Sequence, residues 1–360
     1  MGYAHGQNAS EIPDAAGKNH GLGTTLSRSI QYLFILDYDM MIDLIDRKIL
    51  FYLDRNSRQS FTRIAKKTKI PTASVVYRIK RMMETGVIKN FYTVINPFNS
   101  GFIPFRFYLR FQYANPSIET QIINHFARNP RACCVASLDG KYNLAVDMLI
   151  KNNQEFLEFW KKTLDKYRFY ISEEVFSVFF QLCTRNYSYL YSYEVTEDIQ
   201  KCIINSKEEK RILTENEETL LRLLSNSART PLSELAHQLD ISPPGVIYHI
   251  KQLEKKKIII GYRVNLDIQK IGFDDFKLDI FLTDYNRRDE IISYLEQNPH
   301  LVLLSISVGI SDVEAEFHLE NIDALLMIIN QLYERFDGVI RSTNYHRIVK
   351  QHKWNFIPLA

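Results

Sequence analysis

One pattern occurs twice along the chain of 360 residues, at a constant offset of 171 residues. The pairs of identical residues include Leu53 and Leu224, Arg58 and Arg229, Ala65 and Ala236, Ile70 and Ile241, Tyr77 and Tyr248, Lys80 and Lys251, and Ile88 and Ile259. Their alignment needs no gap. Self-similarity at a fixed offset is typical of repeated architectures. The sequence therefore predicts two copies of one structural unit.

Residues 71–89 of the first copy predict a helix followed by a strand. Val75, Ile79 and Met82 are spaced four and three residues apart, so they share one side of a helix and face a core. A proline suits the first turn, because its fixed φ angle matches the helix. A glycine then ends the helix, and we expect the following strand to turn at residues 89–90.

The opposite side of this helix is small, hydroxylated and cationic. It carries Thr72, Ala73, Ser74, Tyr77, Lys80 and Arg81, with Arg78 at its border. Such a face fits the major groove of DNA. We assign Arg78 and Arg81 to phosphate or guanine contacts, and Ser74 and Tyr77 to base edges or the backbone. Lys80 and Lys89 are assigned to phosphates. The matching DNA-contact residues of the second copy are Tyr248, His249 and Lys251.

Two more helices precede this one. Periodic apolar residues predict a first helix that ends near Arg55, and Ser60 can cap a second helix whose buried side includes Ile64. Three helices followed by a strand and turn form a winged helix-turn-helix. We predict one such head over residues 41–97 and another over residues 213–267.

Each head is followed by the pattern β-α-β-β-α-β, over residues 102–186 and again over residues 274–360. This order is the ferredoxin-like arrangement, in which two helices cover one face of an antiparallel sheet. The predicted fold class is therefore α+β. We expect a linker at residues 187–212 and a disordered leader at residues 1–40, which hold five of the thirteen glycines.

The two predicted heads differ strongly in charge. Residues 43–93 contain twelve Lys and Arg against four Asp and Glu, a net charge of +8. The matching residues 214–264 contain seven against six, a net charge of +1. Neutralisation of phosphates supplies most sequence-independent affinity for DNA. The first head should therefore dominate DNA binding, while the second reads a different half-site or serves as a spacer and dimer partner.

Enzyme and membrane classes receive little support. The four cysteines have no metal-binding spacing, no glycine-rich phosphate loop is present, and the histidines form no catalytic group. We expect His346 and His352 to lie in a solvated tail. No apolar run approaches the roughly 20 residues that span a bilayer. We therefore predict a cytoplasmic protein with no cofactor, no metal, no membrane partner and no catalytic activity.

The segments 43–50, 64–65, 75–79 and 86–88 resemble the leucine-responsive regulatory protein/AsnC (Lrp/AsnC) family of transcription regulators, and 241–254 is similar in the second copy. The resemblance implies a double-stranded DNA partner and self-association through the ferredoxin-like domains. Two copies in one chain suggest an intrachain pseudo-dimer. The resemblance also implies a small-molecule effector, such as an amino acid, near a Gly-x-x-Asp turn. The corresponding residues are Gly140, Asn143, Gly309 and Asp312, and Asn143 stands where the family has an acid.

Two alternatives stay open. Siroheme decarboxylases resemble the same family and also come as paired units. An architectural DNA-binding protein would wrap DNA with little sequence preference. The net charge of +8 on the first head favours regulation over the enzyme, because an enzyme has no need of a cationic outer face.

Overall fold

A computed structural model describes residues 42–191, 200–206 and 212–355 of the protein. The predicted leader at residues 1–40 lies outside the described residues. Within the described parts, each helix is too short or too polar to cross a bilayer.

The first head consists of α1 (Leu44–Arg55), α2 (Phe61–Thr68), α3 (Thr72–Glu84) and β1 (Ile88–Ile95). Side-chain caps explain where the first two helices begin. Asp43 and Asp46 form a capping box at the start of α1, and the Ser60 side chain accepts a hydrogen bond from the Arg63 backbone at the start of α2. These caps satisfy N–H groups that a helix start leaves unpaired. The predicted three-helix head is confirmed.

The ferredoxin-like domain of the first copy has the predicted element order. It contains β2 (Ile103–Phe111), α4 (Pro116–Ala127), β3 (Ala132–Gly140), β4 (Leu144–Ile150), α5 (Asn153–Tyr167) and β5 (Ile171–Arg185). Its antiparallel sheet has the strand order β5-β2-β4-β3. A further short strand, β6 (Lys201–Asn205), pairs with the end of β5.

The second copy repeats these elements. It contains α6 (Glu215–Ser225), α7 (Leu232–Leu239), α8 (Pro243–Lys255), β7 (Ile259–Leu266), β8 (Asp274–Leu282), α9 (Arg288–Leu295), β9 (Leu301–Val308), β10 (Val313–Leu319), α10 (Ile322–Arg335) and β11 (Ile340–Trp354). Up to β8, each element starts 171 residues after its counterpart, and from β9 onward the offset is 169. The copies therefore differ in length only around α4 and α9.

The two ferredoxin-like sheets join at both edges. β5 pairs with β9, and β11 pairs with β3, so that eight strands close into a ring of antiparallel pairings. β5 and β11 are 15 residues long, and each pairs first within its own copy and then with the other copy. A barrel of about eight strands has an interior that side chains fill or that holds one small ligand. The intrachain pseudo-dimer is thus present in the fold.

The two heads also pair with each other. β1 and β7 form a separate two-stranded antiparallel sheet. The turn predicted at residues 89–90 is therefore wrong, because both residues lie within β1, and this strand continues to Ile95. A wing was expected because a local hairpin is the nearest partner for a strand. The partner is instead the equivalent strand of the second head.

Two arginines at equivalent positions reinforce the contact between the heads. The Arg58 side chain donates a hydrogen bond to the carbonyl oxygen of Ala228. Arg229 donates to the carbonyl oxygens of Ser57 and Gln59, the latter at 3.1 Å. Each head thus inserts one guanidinium into a turn of the other, which fixes their relative placement.

Part of the predicted linker is ordered structure. Residues 201–205 form β6, and Tyr189 and Leu190 are buried in the core that both heads share. The Tyr189 hydroxyl lies 2.5 Å from Nδ1 of His318. The tyrosine-rich segment is therefore an arm that packs the heads onto the second ferredoxin-like domain.

Candidate nucleic-acid interface

The outer face of α3 is open to solvent. Val75, Ile79 and Met82 are buried as predicted, while the Tyr77 side chain is 67% exposed. Thr72, Ala73 and Lys80 are also exposed, and Ser74 is half-buried. Nζ of Lys80 lies 3.7 Å from the Glu84 carboxylate, one helical turn away. An exposed pair of this kind is weak, so Lys80 is available to an external anion.

Arg78 and Arg81 are only partly exposed, and both pair with acids at the start of α1. Nη1 of Arg78 lies 2.7 Å from Asp43 and 2.9 Å from Asp46, and Arg81 also pairs with Asp46. Asp46 is fully buried. The hydrogen bond to Asp43, followed by that to Asp46, raises the pKa of Arg78. The two arginines therefore tie α3 to the start of α1, and their contact with DNA remains a prediction.

Lys89 is not at the tip of a wing. Its side chain is 42% exposed, and its Nζ lies 3.6 Å from the carboxylate of Asp267 in the second head. The pair spans the two heads next to the β1–β7 sheet. The contact of Lys89 with a phosphate remains a prediction.

The second head offers a similar helix with weaker charge. Tyr248 is 60% exposed and Lys251 is exposed, while His249 is half-buried. The buried acid of its capping box, Glu217, pairs with Lys256 at 2.7 Å. One lysine thus replaces the two arginines that hold Asp46 in the first head.

The assignment of contact residues missed three cations that lie in α2 or directly after it. Arg63, Lys66 and Lys69 are exposed and have no ion-pair partner among the described residues. The sequence analysis counted them only in the net charge of the first head. The signal that would have found them is their position on the helix preceding α3, opposite Ile64. They extend the cationic surface beyond α3.

The two Gly-x-x-Asp-like turns have matching structural roles. The Phe111 backbone donates to the Asn143 side chain at 2.8 Å, and the Leu282 backbone donates to Asp312 at 2.7 Å. Asn143 therefore keeps the bond that the acid makes in the other copy. Both turns close the end of a neighbouring strand, and effector binding there remains a prediction.

At each of these turns, the absence of a side chain on glycine lets the backbone of the other copy approach closely. A Cβ atom at Gly309 would lie 2.1 Å from the carbonyl oxygen of Phe176, and one at Gly140 would lie 2.8 Å from that of Tyr345. Both glycines also have positive φ angles, which other residues rarely adopt. The structure thus requires glycine here for the joining of the two sheets.

The interior of the barrel contains a buried ionic network that the sequence analysis missed. Arg106 makes two bonds to Asp147, at 2.5 and 2.8 Å, and one to Glu314 at 3.0 Å. Lys277 lies 2.6 Å from Glu314 and 3.5 Å from Glu316. Arg106 and Lys277 occupy equivalent positions in β2 and β8. Their alternation with apolar residues was the available signal, but it indicates a solvated face unless a second sheet covers it.

The prediction of a solvated His346 is wrong. Its side chain is fully buried in β11, where it packs against the rings of Tyr108 and Tyr142, which stack on each other. Nε2 of His346 lies 3.4 Å from the Asp279 carboxylate. Burial raises the pKa of Asp279 to about 6, although the hydrogen bond with His346 opposes the rise. The polar tail was misread because pairing with β3 orders it.

Comparisons with known proteins agree with this architecture. The family described as "Winged helix-turn-helix DNA-binding" matches residues 42–89 and 213–260. An uncharacterized HTH-type transcriptional regulator of Pyrococcus abyssi is 30% identical over 124 residues, which cover 34% of this chain and 83% of that protein. The HTH-type transcriptional regulator LrpA of Pyrococcus horikoshii is 28% identical over 130 residues, which cover 36% of this chain and 92% of that protein.

A solved structure shares the whole architecture. The crystal structure of the siroheme decarboxylase NirDL has a TM-score of 0.59 at 10% identity, and the match covers 88% of this chain and 94% of that chain. At this identity the likeness concerns the fold alone.

The two helix-turn-helix heads, together with the sequence relatives, identify the chain as a transcription regulator with a duplicated unit. The chain belongs to the Lrp/AsnC family of HTH-type transcription regulators. It carries the two-domain unit twice, and the two units pair within one chain.

Proposed function

We propose that this DNA-binding transcription regulator binds a specific double-stranded site as an intrachain pseudo-dimer, with the first head supplying most of the affinity. One observation carries the proposal: the exposed outer face of α3 is accompanied by Arg63, Lys66 and Lys69, which are exposed and have no ion-pair partner in the described part of the chain. Surface cations that lack a protein partner are free to neutralise phosphates, and each phosphate neutralised releases counterions.

The proposed contacts divide into two groups. Ala73, Ser74 and Tyr77 project from the part of α3 that enters the groove and read base edges. Lys80, together with the cations of α2, contacts the flanking phosphates. Arg78 and Arg81 orient α3 through Asp46, and a guanidinium with five donors keeps some of them for DNA.

The second head is proposed to contribute a weaker half-site through Tyr248, His249 and Lys251. Its helix presents an exposed tyrosine at the same position as Tyr77. The β1–β7 sheet and the reciprocal arginines keep the heads at one spacing. A pair of unequal heads at a fixed spacing should select an asymmetric site.

Effector binding and assembly with further chains belong to the same proposal. A small effector, such as an amino acid, would act at the turns of Gly140 and Gly309, where each copy contacts the other. Association of whole chains would use the ferredoxin-like domains. The protein is proposed to act without a catalytic step.

Selection of bound sequences from random DNA, followed by footprinting, tests the proposal. We expect one strong half-site and one weak half-site at a constant distance. Tyr77→Ala should abolish selection of the strong half-site, and the matched variant Tyr248→Ala should affect only the weak one. Protection that spreads along any DNA without preference would instead identify an architectural protein.

A decarboxylase function has only the likeness in fold behind it. A cavity inside the barrel has a volume of about 190 Å³. Pockets for drug-sized ligands typically measure about 300–1,000 Å³, and a tetrapyrrole with its carboxylate side chains is no smaller than such ligands. Titration with siroheme, followed by absorbance, should give no saturable spectral change. Stoichiometric binding with loss of carbon dioxide would contradict the regulator proposal.

A further inference from the structure

Two adjacent cysteines lie in an irregular part of β3. In a regular strand, neighbouring side chains point to opposite faces of the sheet, so adjacent cysteines would not meet. Here Ala132 and Cys134 pair with consecutive residues of β4, and Cys133 between them is an extra residue. Such an insertion is a β-bulge, in which two residues oppose one on the partner strand. The bulge changes the face to which one of the two cysteines points.

The packing on each face of β3 shows that both thiols share one side. Ala132 and Val135 are fully buried in the apolar core between the sheet and its helices. Cys133 and Cys134, which lie between them, both line the cavity inside the barrel, on the other face of the sheet. The Cα atoms of consecutive residues are about 3.8 Å apart. The two side chains therefore leave the strand side by side.

The second copy has the same bulge without the thiols. In β9, Leu301 and Leu303 pair with consecutive residues of β10, so Val302 is the extra residue. The positions equivalent to the two cysteines are thus Val302 and Leu303, and both line the same cavity. The bulge needs only apolar side chains, and the fold does not require cysteine at either position of the first copy.

A pair of adjacent thiols suits a soft ion that takes two ligands. Thiolates prefer soft ions such as Cu(I). Structural zinc and iron–sulfur clusters use four protein ligands, whereas no described group of three or more His, Cys, Asp or Glu is arranged to hold a metal. Metal–sulfur bonds of about 2.3 Å let one ion bridge two sulfurs up to about 4.6 Å apart. Two adjacent side chains on one face of a strand can meet this requirement.

We propose that Cys133 and Cys134 bind one monovalent soft ion, Cu(I), as a two-coordinate dithiolate in the barrel interior. Two S–H bonds break, two Cu–S bonds form, and two protons leave to solvent. Neither copper nor sulfur changes its oxidation state. The site exchanges two protons for one monovalent cation, so it gains one negative charge.

A cation without an acidic partner lies beside the pair. Lys353 of β11 is half-buried and donates to the carbonyl oxygen of Asn129 at 2.7 Å, and no carboxylate pairs with it in the described part of the chain. Burial lowers the pKa of Lys353, and negative charge on Cys133 opposes this effect. On the other side of the barrel, the equivalent strand β5 has Thr184 beside Leu303. The cation therefore accompanies the thiols and is missing where they are missing.

Competition for Cu(I) on the reduced full chain, without oxygen, tests the site. Cu(I) is supplied by two chelators, the stronger bathocuproine disulfonate and the weaker ferrozine, and the loss of their absorbance measures the Cu(I) that the protein withdraws. We expect one Cu(I) per chain, and the redox-inert Ag(I) should bind with the same stoichiometry. A chain that withdraws no Cu(I) from ferrozine overturns the proposal.

Two variants place the residues of the second copy in the bulge. Cys133→Val and Cys134→Leu each remove one of two ligands and should weaken Cu(I) binding by at least about 100-fold, since loss of an outer-shell partner alone costs about 10- to 100-fold. The double variant Cys183→Ala, Cys202→Ala is the matched control, because each of these cysteines lies in a different apolar core. Melting temperatures show that the variants fold. Wild-type affinity in Cys133→Val or Cys134→Leu overturns the assignment.

The fluorescence of Trp354 locates the ion. Trp354 pairs in register with Cys134 and lines the same cavity, whereas the second tryptophan, Trp160, lies in the core on the other face of the sheet. A heavy ion beside an indole promotes non-radiative decay. Saturation with Ag(I) should therefore quench the emission of the wild type and leave that of Trp354→Phe unchanged. Equal quenching in both proteins, or none in the wild type, overturns the assignment, and these outcomes do not depend on DNA binding.

Discussion

The two heads have matching helices and strands but differently charged surfaces. α2 and α7 each end in a residue of left-handed conformation, Lys69 with φ 58° and Asp240 with φ 52°. Yet the exposed residues Arg63, Lys66 and Lys69 of α2 correspond to Glu234, His237 and Asp240 of α7. The fold of a head therefore depends on its caps and core, whereas its surface charge can differ.

The buried acids of the capping boxes support this separation. Asp46 and Glu217 occupy equivalent positions, and both are buried. One is satisfied by two arginines of α3 and the other by Lys256 beyond α8. The requirement for a positive partner is thus shared, while the residue that meets it differs. Among the described pairs, those of the first head place the cations on α3, the helix proposed to contact DNA, whereas Lys256 lies just beyond α8.

The largest effect should come from exchanging the charges of α2. The triple variant Arg63→Glu, Lys66→His, Lys69→Asp gives the first head the residues of the second. Loss of about three phosphate contacts should weaken DNA binding by roughly 100- to 1,000-fold and reduce the salt slope by about 3. Fluorescence anisotropy at several salt concentrations measures both quantities.

The reciprocal exchange is the matched control for that variant. Glu234→Arg, His237→Lys, Asp240→Lys should strengthen DNA binding and steepen its salt dependence. Unfolding midpoints should stay near the wild-type value in both triple variants, since the exchanged side chains are on the surface. If the first exchange leaves affinity unchanged, the charge difference between the heads has no part in DNA binding.

The next largest effect concerns the contact between the heads. Arg229→Ala should cost about 3 kcal/mol of unfolding free energy, because Arg229 donates to two carbonyl oxygens and lies 4.2 Å from the ring centroid of Phe61. Arg58→Ala should cost about 1–2 kcal/mol, since Arg58 donates to one carbonyl oxygen and lies farther, at 5.5 Å, from the ring centroid of Tyr262. Urea denaturation compares the two. Equal losses would mean that the reciprocal contacts are energetically symmetric.

A smaller difference is expected at the capping-box acids. Asp46→Asn should cost about 2 kcal/mol, because two guanidiniums lose their buried partner, although both remain partly solvated. Glu217→Gln, which affects only Lys256, should cost about 1 kcal/mol. Denaturation curves provide the values. A larger loss of unfolding free energy for Glu217→Gln than for Asp46→Asn would contradict this prediction.

The smallest effect is a loss of stability in acid. Burial alone would raise the pKa values of Asp43 and Glu217, but hydrogen bonds outweigh this effect and lower both pKa values below their usual range. Asp43 accepts these bonds from Asp46 and Arg78, and Glu217 accepts them from Lys256 and Thr214. A lowered pKa contributes stability above the ordinary value, and that stability is lost as the pH falls through the folded-state value. Each head should lose less than about 1 kcal/mol below about pH 4. Hydrogen exchange in α1 and α6 should report it, and unchanged protection at pH 3.5 (about half a unit below the ordinary carboxyl range) would contradict it.

The heads were predictable because their signals are local. The spacing of Val75, Ile79 and Met82, the cap at Ser60 and the repeat itself depend on residues close in sequence or on direct comparison of the copies. The helices therefore fall where the patterns indicate. Alternation of apolar and polar residues also predicted the first strand of the first ferredoxin-like domain, β2.

The choice of partners was not predictable in the same way. Nothing near β1 indicates that it pairs with β7, 171 residues away, and β6 lies in a stretch whose neighbours are polar. The burial of Arg106 could not be predicted for the same reason. An alternating strand has one polar side, and only the other sheet determines whether that side meets water or a buried carboxylate such as Asp147.

Because the strand ends pair between copies of the same chain, this pairing does not depend on how abundant the protein is. An assembly of separate chains dissociates when diluted, and its apparent stability rises with concentration. Here the partner strand is always on the same polypeptide, so its effective concentration does not depend on how many molecules are present. A single molecule therefore always carries a complete pair of heads, even when the protein is scarce.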